Sequence, residues 1–175
     1  MKIYQMQSEQ DIAQFKTLSI EYLTWSFEYV AVNFGFQTDD NIPLAVRDYI
    51  DNDLTSVSKL MPPIGQLLLV EIDGEIAAMS GMSHLRHGIA EIQKMYVRSQ
   101  FRGRGIARKL LVRLINNAKD QKYSSIYLDS ANFMASAHGL YRSVGFEEIA
   151  PYEGANVPEG LMNHWLFFEL SLADN

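Results

Sequence analysis

The chain has 175 residues and no cysteine, with 15 basic against 21 acidic residues. That length predicts one domain over residues 1–175, and the missing cysteine excludes disulfides, thiolate metal sites and a thiol nucleophile. The net charge of −6 argues against a nucleic-acid partner, because phosphate binding needs concentrated Lys and Arg. No apolar run approaches the roughly 18 residues of a spanning helix, and the start lacks the apolar stretch of a signal peptide. We therefore expect a cytoplasmic domain with no membrane partner.

The first half of the chain predicts a short strand followed by two helices. Residues 2–6 form the strand, and Asp11 is expected to cap a helix that runs to about Asn33. The apolar side chains of this helix recur at helical spacing, as Ile12, Phe15, Leu18, Tyr22, Trp25 and Tyr29. Pro43 is expected to open a second helix, which ends at Met61-Pro62-Pro63.

The second half predicts antiparallel strands and then an alternation of strands and helices. Asp73-Gly74 is a strong hairpin signal between two predicted strands, and a third strand follows them. The expected ranges are strands over 66–72, 75–84 and 90–97, a helix over 105–119, a strand over 124–129, a helix over 134–144, and strands over 146–149 and 164–170. This order predicts an α/β fold in which one mixed, mostly antiparallel sheet carries helices on both faces.

A basic, glycine-bearing loop joins the third of these strands to the helix after it. Residues 98–113 hold six cations and no acid, namely Arg98, Arg102, Arg104, Arg108, Lys109 and Arg113. The first-turn amides of a helix lack partners within the helix and lie at its positive end. Glycines let an anion approach those amides, and arginines add charge-assisted hydrogen bonds. The pattern therefore predicts a cradle for a pyrophosphate.

Three phosphate-binding motifs can be compared with this loop. A Walker loop needs Lys and Ser or Thr after its last glycine, but Ile106 follows Gly105. A dinucleotide fingerprint needs a small residue where Arg108 stands. The third motif, Gln/Arg-x-x-Gly-x-Gly/Ala, is matched in full by Gln100, Gly103 and Gly105. A plain glycine turn with solvated arginines is the alternative that binds no ligand.

With this motif and the downstream segment Leu140-Tyr141-Arg142-Ser143-Val144-Gly145-Phe146, the sequence resembles the GNAT superfamily of acyl-CoA-dependent N-acetyltransferases. The resemblance covers about residues 66–170 and implies a GNAT-like fold that uses acetyl-CoA, with a small-molecule or peptide amine as acceptor. The residues that it implies for CoA binding are Met95, Tyr96, Val97, Arg102, Gly103, Arg104, Gly105, Ile106, Ala107 and Arg108. Met134 stands where many members carry Asn, and residues 128–141 resemble a bacterial branch whose substrates are mostly unassigned.

Two residues are candidates for acid–base chemistry in such a reaction. Tyr141 matches the family tyrosine that protonates the departing CoA thiolate, and its alternative is a buried core tyrosine. Glu91 resembles the general-base glutamate of histone-type members, acting directly or through water. Its alternative is a surface glutamate paired with Lys94 or Arg86. With no thiol available for a covalent intermediate, we expect direct transfer in a ternary complex.

The remaining features favour simpler interpretations. The histidines, His84, His87, His138 and His164, lack metal-ligand spacing, so we expect no metal. The aromatic residues of the first helix favour core packing or a homodimer surface, although the first two helices of the superfamily often cover the acceptor site. Two rivals to the enzyme are a noncatalytic CoA-binding or sensing domain and a nucleic-acid module that uses the arginines. The net charge disfavours the second rival.

Overall fold

The computed structural model describes residues 1–34, 46, 50, 58–63, 65–155, 157 and 159–172. In this part of the chain, seven strands form one sheet: β1 Lys2–Gln5, β2 Gly65–Ile72, β3 Glu75–Arg86, β4 Ile89–Val97, β5 Ser125–Ala131, β6 Glu147–Ile149 and β7 Trp165–Ser171. Three helices are described with them: α1 Glu9–Phe34, α2 Ile106–Asp120 and α3 Ala135–Ser143. Most of the predicted second helix, from Pro43 to Met61, lies outside the described residues. None of the described helices is both long and apolar enough to cross a membrane.

The first helix begins one turn earlier than the sequence suggests. The backbone N–H of Asp11 donates to Ser8 Oγ at 3.1 Å, and the N–H of Ser8 donates to Asp11 Oδ2 at 2.9 Å. This reciprocal pair is a capping box, in which the residue before the helix and the third helical residue satisfy each other's amides. The prediction that Asp11 is the cap is therefore wrong, because Ser8 occupies that position.

The predicted hairpin forms between β2 and β3. Asp73 and Gly74 have φ angles of 51° and 86°, the left-handed backbone that a two-residue turn requires. The two strands pair from Gly65 opposite Ser83 to Ile72 opposite Glu75.

Helices pack on both faces of the sheet, which confirms that prediction. Alternate residues of β2 point to opposite sides. Leu68 and Val70 belong to a core that contains the apolar side of α2, whereas Leu67 and Leu69 belong to a core with Phe15 of α1. Overall, the sheet runs in the order β1-β2-β3-β4-β5-β7-β6, so that β7 is inserted between β5 and β6.

The sheet opens between its two parallel strands. β4 and β5 pair over three positions only, from Ile89 opposite Ser125 to Glu91 opposite Tyr127. Beyond them, the pairing of β4 with β3 shifts register, and Lys94 lies in this irregular stretch with a φ of 54°. A bulge of this kind bends a strand. The carboxyl ends of β4 and β5 are therefore separated, which leaves room between them for a ligand.

Candidate active site

A cavity of about 490 Å³ lies at this opening. Its wall joins the carboxyl ends of β4 and β5, the loop before α2, the first turn of α2 and the inner side of α3. Nine of the ten predicted CoA-binding residues line it, namely Met95, Tyr96, Val97, Arg102, Gly103, Gly105, Ile106, Ala107 and Arg108. The structure thus brings the glycine motif and the strand before it together around one space.

The glycine loop has the backbone that an anion site needs. Gly103 and Gly105 have φ angles of 75° and 71°, and a Cβ built on either would meet no atom within 4 Å. The space beside both α-carbons is therefore open. Gly105 is also the N-cap of α2, where it offers no side chain to the first-turn amides. Those amides can instead donate hydrogen bonds to a phosphate, so the loop fits the pyrophosphate of CoA.

The arginines of the basic stretch have different positions. Arg102 lies on the cavity wall, where its Nε donates to the carbonyl of Val97 at 2.9 Å, and Arg108 also lines the cavity. Arg104 does not line it, and its guanidinium lies 5.4 Å from the ring centre of Phe101. The predicted role of Arg104 in CoA binding stays a prediction.

Arg98 is engaged within the fold. Its guanidinium forms a two-pronged ion pair with Glu21 of α1, with N···O distances of 2.9 and 2.6 Å, and donates to the carbonyl of Ile76 at 2.7 Å. This arginine therefore ties α1 to the sheet. Arg98 belongs to the basic stretch that the sequence predicts to bind an anion, but its role in the structure is to hold the fold together.

Tyr141 points into the cavity from α3. Its side chain is 6% exposed, and its ring packs against Phe146 and Phe168. Burial raises the pKa of Tyr141 above that of a free tyrosine, whose phenol is already protonated at neutral pH. Tyr22 of α1 also lines the cavity, and burial raises its pKa to about 12.

Glu91 lies inside the protein near this cavity but not on its wall. It is 5% exposed, which makes the surface-glutamate alternative wrong. Oε1 accepts a hydrogen bond from the Tyr152 hydroxyl at 2.8 Å, and Oε2 accepts one from the amide of Gln93. Burial raises the pKa of Glu91, an effect opposed by the Tyr152 hydrogen bond and reinforced by the charge of Asp129.

The carboxylate that does line the cavity, Asp129, was not among the predicted site residues. It lies near the end of β5, where Trp165 Nε1 donates to Oδ1 at 2.7 Å and the Tyr152 hydroxyl lies 3.4 Å from Oδ2. Burial raises its pKa, while these two donors act in the opposite direction. Its position near the carboxyl end of one of the two parallel strands is the signal that could have found it.

Aromatic side chains complete the wall. Trp25 of α1 and Phe133, which follows β5, both line the cavity, and their ring centres are 5.7 Å apart. Tyr29 stacks on Phe133 at 3.9 Å. The predicted core or dimer role is therefore incomplete, because part of the aromatic face of α1 bounds the cavity.

No three metal-ligating side chains are grouped in the described ranges. The described site is a partly aromatic cavity with a glycine-lined anion cradle at the start of a helix, and it fits a family of known proteins. The model of the acetyltransferase (GNAT) family matches residues 19–146. The chain belongs to the GNAT family.

Named relatives agree with this assignment. The chain is 34% identical over 124 residues to YjgM of Escherichia coli, an uncharacterized N-acetyltransferase, covering 69% of this chain and 71% of that protein. It is 42% identical over 64 residues to an uncharacterized N-acetyltransferase of Dictyostelium discoideum. That second match covers 37% of this chain and spans only 30% of the Dictyostelium protein.

Solved structures agree on the fold. The PaiA N-acetyltransferase of Thermoplasma acidophilum, whose structure is a complex with coenzyme A, superposes with a TM-score of 0.71 at 14% identity. The match covers 98% of this chain and 99% of that one. This likeness confirms the GNAT-like α/β architecture.

Proposed function

We propose that the chain is an acetyl-CoA-dependent N-acetyltransferase that moves an acetyl group to a primary amine by direct attack in a ternary complex. The observation that carries the proposal is that the glycine loop and Tyr141 share one cavity. An anion cradle alone would suit many ligands. A buried phenol in the same space supports a reaction at the thioester end of the donor.

The donor would lie along the loop and the end of β4. Its pyrophosphate would meet the first-turn amides of α2 beside Gly103 and Gly105, with Arg102 and Arg108 adding charge. Its pantetheine arm would follow Met95 to Val97, where β4 has left its parallel partner. Backbone amides exposed by that separation would polarise the thioester carbonyl as negative charge develops on its oxygen.

Tyr141 would act as the acid. When the amine attacks the thioester carbon, the C–S bond breaks and the sulfur leaves as a thiolate that needs a proton. The phenol of Tyr141 has its proton at neutral pH, because the pKa of a tyrosine is about 10 even in water and burial does not lower it. It can therefore donate that proton to sulfur, and solvent can restore it afterwards.

Glu91 would act as the base, through water. An amine is protonated near pH 7 and becomes a nucleophile only after it loses that proton. A buried glutamate with a raised pKa is better matched to this task than a solvated one. Because Glu91 is not on the cavity wall, a water molecule would carry the proton between the amine and its carboxylate.

The experiment that tests the proposal measures CoA thiol release from acetyl-CoA over a broad panel of amines, with mass spectrometry of the products. The panel would contain arylalkylamines, polyamines, amino acids, aminoglycosides and peptides with free amino termini or lysines. Amine-dependent thiol release, with a product heavier by one acetyl group, supports the enzyme. CoA binding with no turnover across the whole panel would favour the noncatalytic CoA-binding alternative.

A further inference from the structure

Of the described residues that line the cavity, Asp129 alone carries a carboxylate. A negative charge on the cavity wall does not favour acetyl-CoA binding, because the donor is itself an anion. The acid and the base of the proposed reaction are other residues. This carboxylate is therefore better suited to a positively charged group on a ligand other than acetyl-CoA.

The orientation of Asp129 is fixed by its neighbours, yet its acceptor capacity is not exhausted. Trp165 Nε1 donates to Oδ1 at 2.7 Å. The oxygen of the Tyr152 hydroxyl lies 2.8 Å from Glu91 Oε1 and 3.4 Å from Asp129 Oδ2, so the shorter geometry favours donation of its single proton to Glu91. Since each carboxylate oxygen can accept two hydrogen bonds, Asp129 can still accept from a donor in the cavity.

In the described part of the chain, the charge of Asp129 raises the pKa of one carboxylate and three phenols. The carboxylate is Glu91, and the phenols are Tyr22, Tyr141 and Tyr152. A protonated phenol carries no charge and an ionised phenol is an anion, so none of the three offsets the negative charge of the two carboxylates. A cation beside Asp129 is favoured there, and a second anion is disfavoured.

The cations of the cavity wall come from other segments. Arg102 and Arg108 belong to the loop and helix that form the phosphate cradle, and Lys94 belongs to the bulge of β4. On the described wall the carboxylate is therefore on β5, and the cations are on β4, on α2 and on the loop between them. The aromatic pair Trp25 and Phe133 lines the same cavity.

We infer that Asp129 binds the ammonium group of the acceptor and selects amines that carry no carboxylate beside that group, an inference that rests on the proposed function. The aromatic wall formed by Trp25 and Phe133 suits an aryl or alkyl body on such an amine. The substrate class is a cationic arylalkylamine or a similar amine. Free α-amino acids are disfavoured, because their carboxylate would approach Asp129.

The test compares three acceptors that share a benzyl group and a primary amine: phenethylamine, L-phenylalaninol and L-phenylalanine. Phenylalaninol has the branched α-carbon of phenylalanine but an uncharged substituent. We expect kcat/KM for phenethylamine and phenylalaninol to exceed that for phenylalanine by about tenfold or more, because like charges at close range are costly. KM for acetyl-CoA should be the same with each acceptor.

A variant links this preference to Asp129. Asp129→Asn keeps an oxygen that can accept from Trp165, so the fold should survive. It should lower kcat/KM for phenethylamine by about 10- to 100-fold and reduce the preference over phenylalanine to within about threefold. Asp120→Asn, at the exposed end of α2, is the matched control and should change neither value.

The outcomes separate the two proposals. The inference is overturned if phenylalanine is as good an acceptor as phenethylamine in the wild-type protein, or if Asp129→Asn keeps the preference. It is also overturned, while the proposed function stands, if none of the three is acetylated but another amine of the broad panel is. Absence of turnover with every amine overturns the proposed function itself.

Discussion

The hydroxyl of Tyr152 donates a hydrogen bond to Glu91 Oε1 at 2.8 Å, across 61 residues of sequence. This bond favours the ionised carboxylate and opposes the upward pKa shift that burial causes. Tyr152 thereby limits how far the pKa of the proposed base rises. The relationship makes the pH dependence of the reaction sensitive to a residue that is not on the cavity wall.

Tyr152→Phe removes that donor and keeps the ring. The pKa of Glu91 should then rise further, and the acid limb of the kcat/KM profile should move to higher pH, because the base must be ionised to work. Tyr123→Phe, which removes a hydroxyl elsewhere, should leave the profile in place. The check is the pH dependence of thiol release. If the acid limb of the Tyr152→Phe profile does not move, or moves to lower pH, the proposed role of Glu91 is contradicted.

Glu91→Gln removes the base but keeps a side chain that can accept from Tyr152. We expect unchanged affinity for CoA and a rate about 10- to 100-fold lower at neutral pH. Raising the pH should recover part of the loss, since solvent then supplies neutral amine. Rates across the pH range, with CoA affinity from titration, measure both effects. A wild-type rate with an unchanged profile would leave Glu91 as a structural carboxylate.

Gly105→Ala should weaken CoA binding by about tenfold or more, because a methyl group enters the open cradle and disturbs a left-handed backbone. Gly74→Ala is the matched control. It has a φ of 86° and open space around it, but it lies in the β2–β3 turn. Both should lose roughly 1–2 kcal/mol of stability from backbone strain. Equal CoA affinity in two folded variants would contradict the cradle.

Arg98→Ala should lower the free energy of unfolding by about 1–2 kcal/mol, because its partly buried pair with Glu21 is lost. CoA affinity should not change. Arg108→Ala should do the reverse, with nearly normal stability and CoA binding weakened by about three- to tenfold. Urea unfolding and CoA titration on both variants check this contrast. Weaker CoA binding in a stable Arg98→Ala protein would contradict the division of roles.

Local signals in the sequence located the part of the site that depends on local backbone. The glycine loop was predictable because an anion cradle needs glycines at a strand end before a helix, as Gly103 and Gly105 provide. The hairpin at Asp73 was predictable for a similar reason, since few residues adopt its φ angle. Each of these features is contained within a few consecutive residues.

Long-range contacts could not be read in the same way. The link from Tyr152 to Glu91 and Asp129 joins residues that are 61 and 23 positions apart in the sequence, a separation that no short pattern spans. The burial of Glu91 depends on the same contacts. The cap of α1 was misplaced for a smaller reason, because Ser8 and Asp11 are both good cap residues and only geometry distinguishes their roles.

The most direct test of the account is the rate of acetyl transfer by Tyr141→Phe, with Tyr123→Phe as the control. Replacing the phenol by a phenyl ring keeps the packing against Phe146 and Phe168, so the affinity for acetyl-CoA should change little. Loss of the proton donor should lower kcat and kcat/KM together by roughly 10²- to 10⁴-fold. A Tyr141→Phe protein with full kcat would contradict the assignment of Tyr141 as the acid.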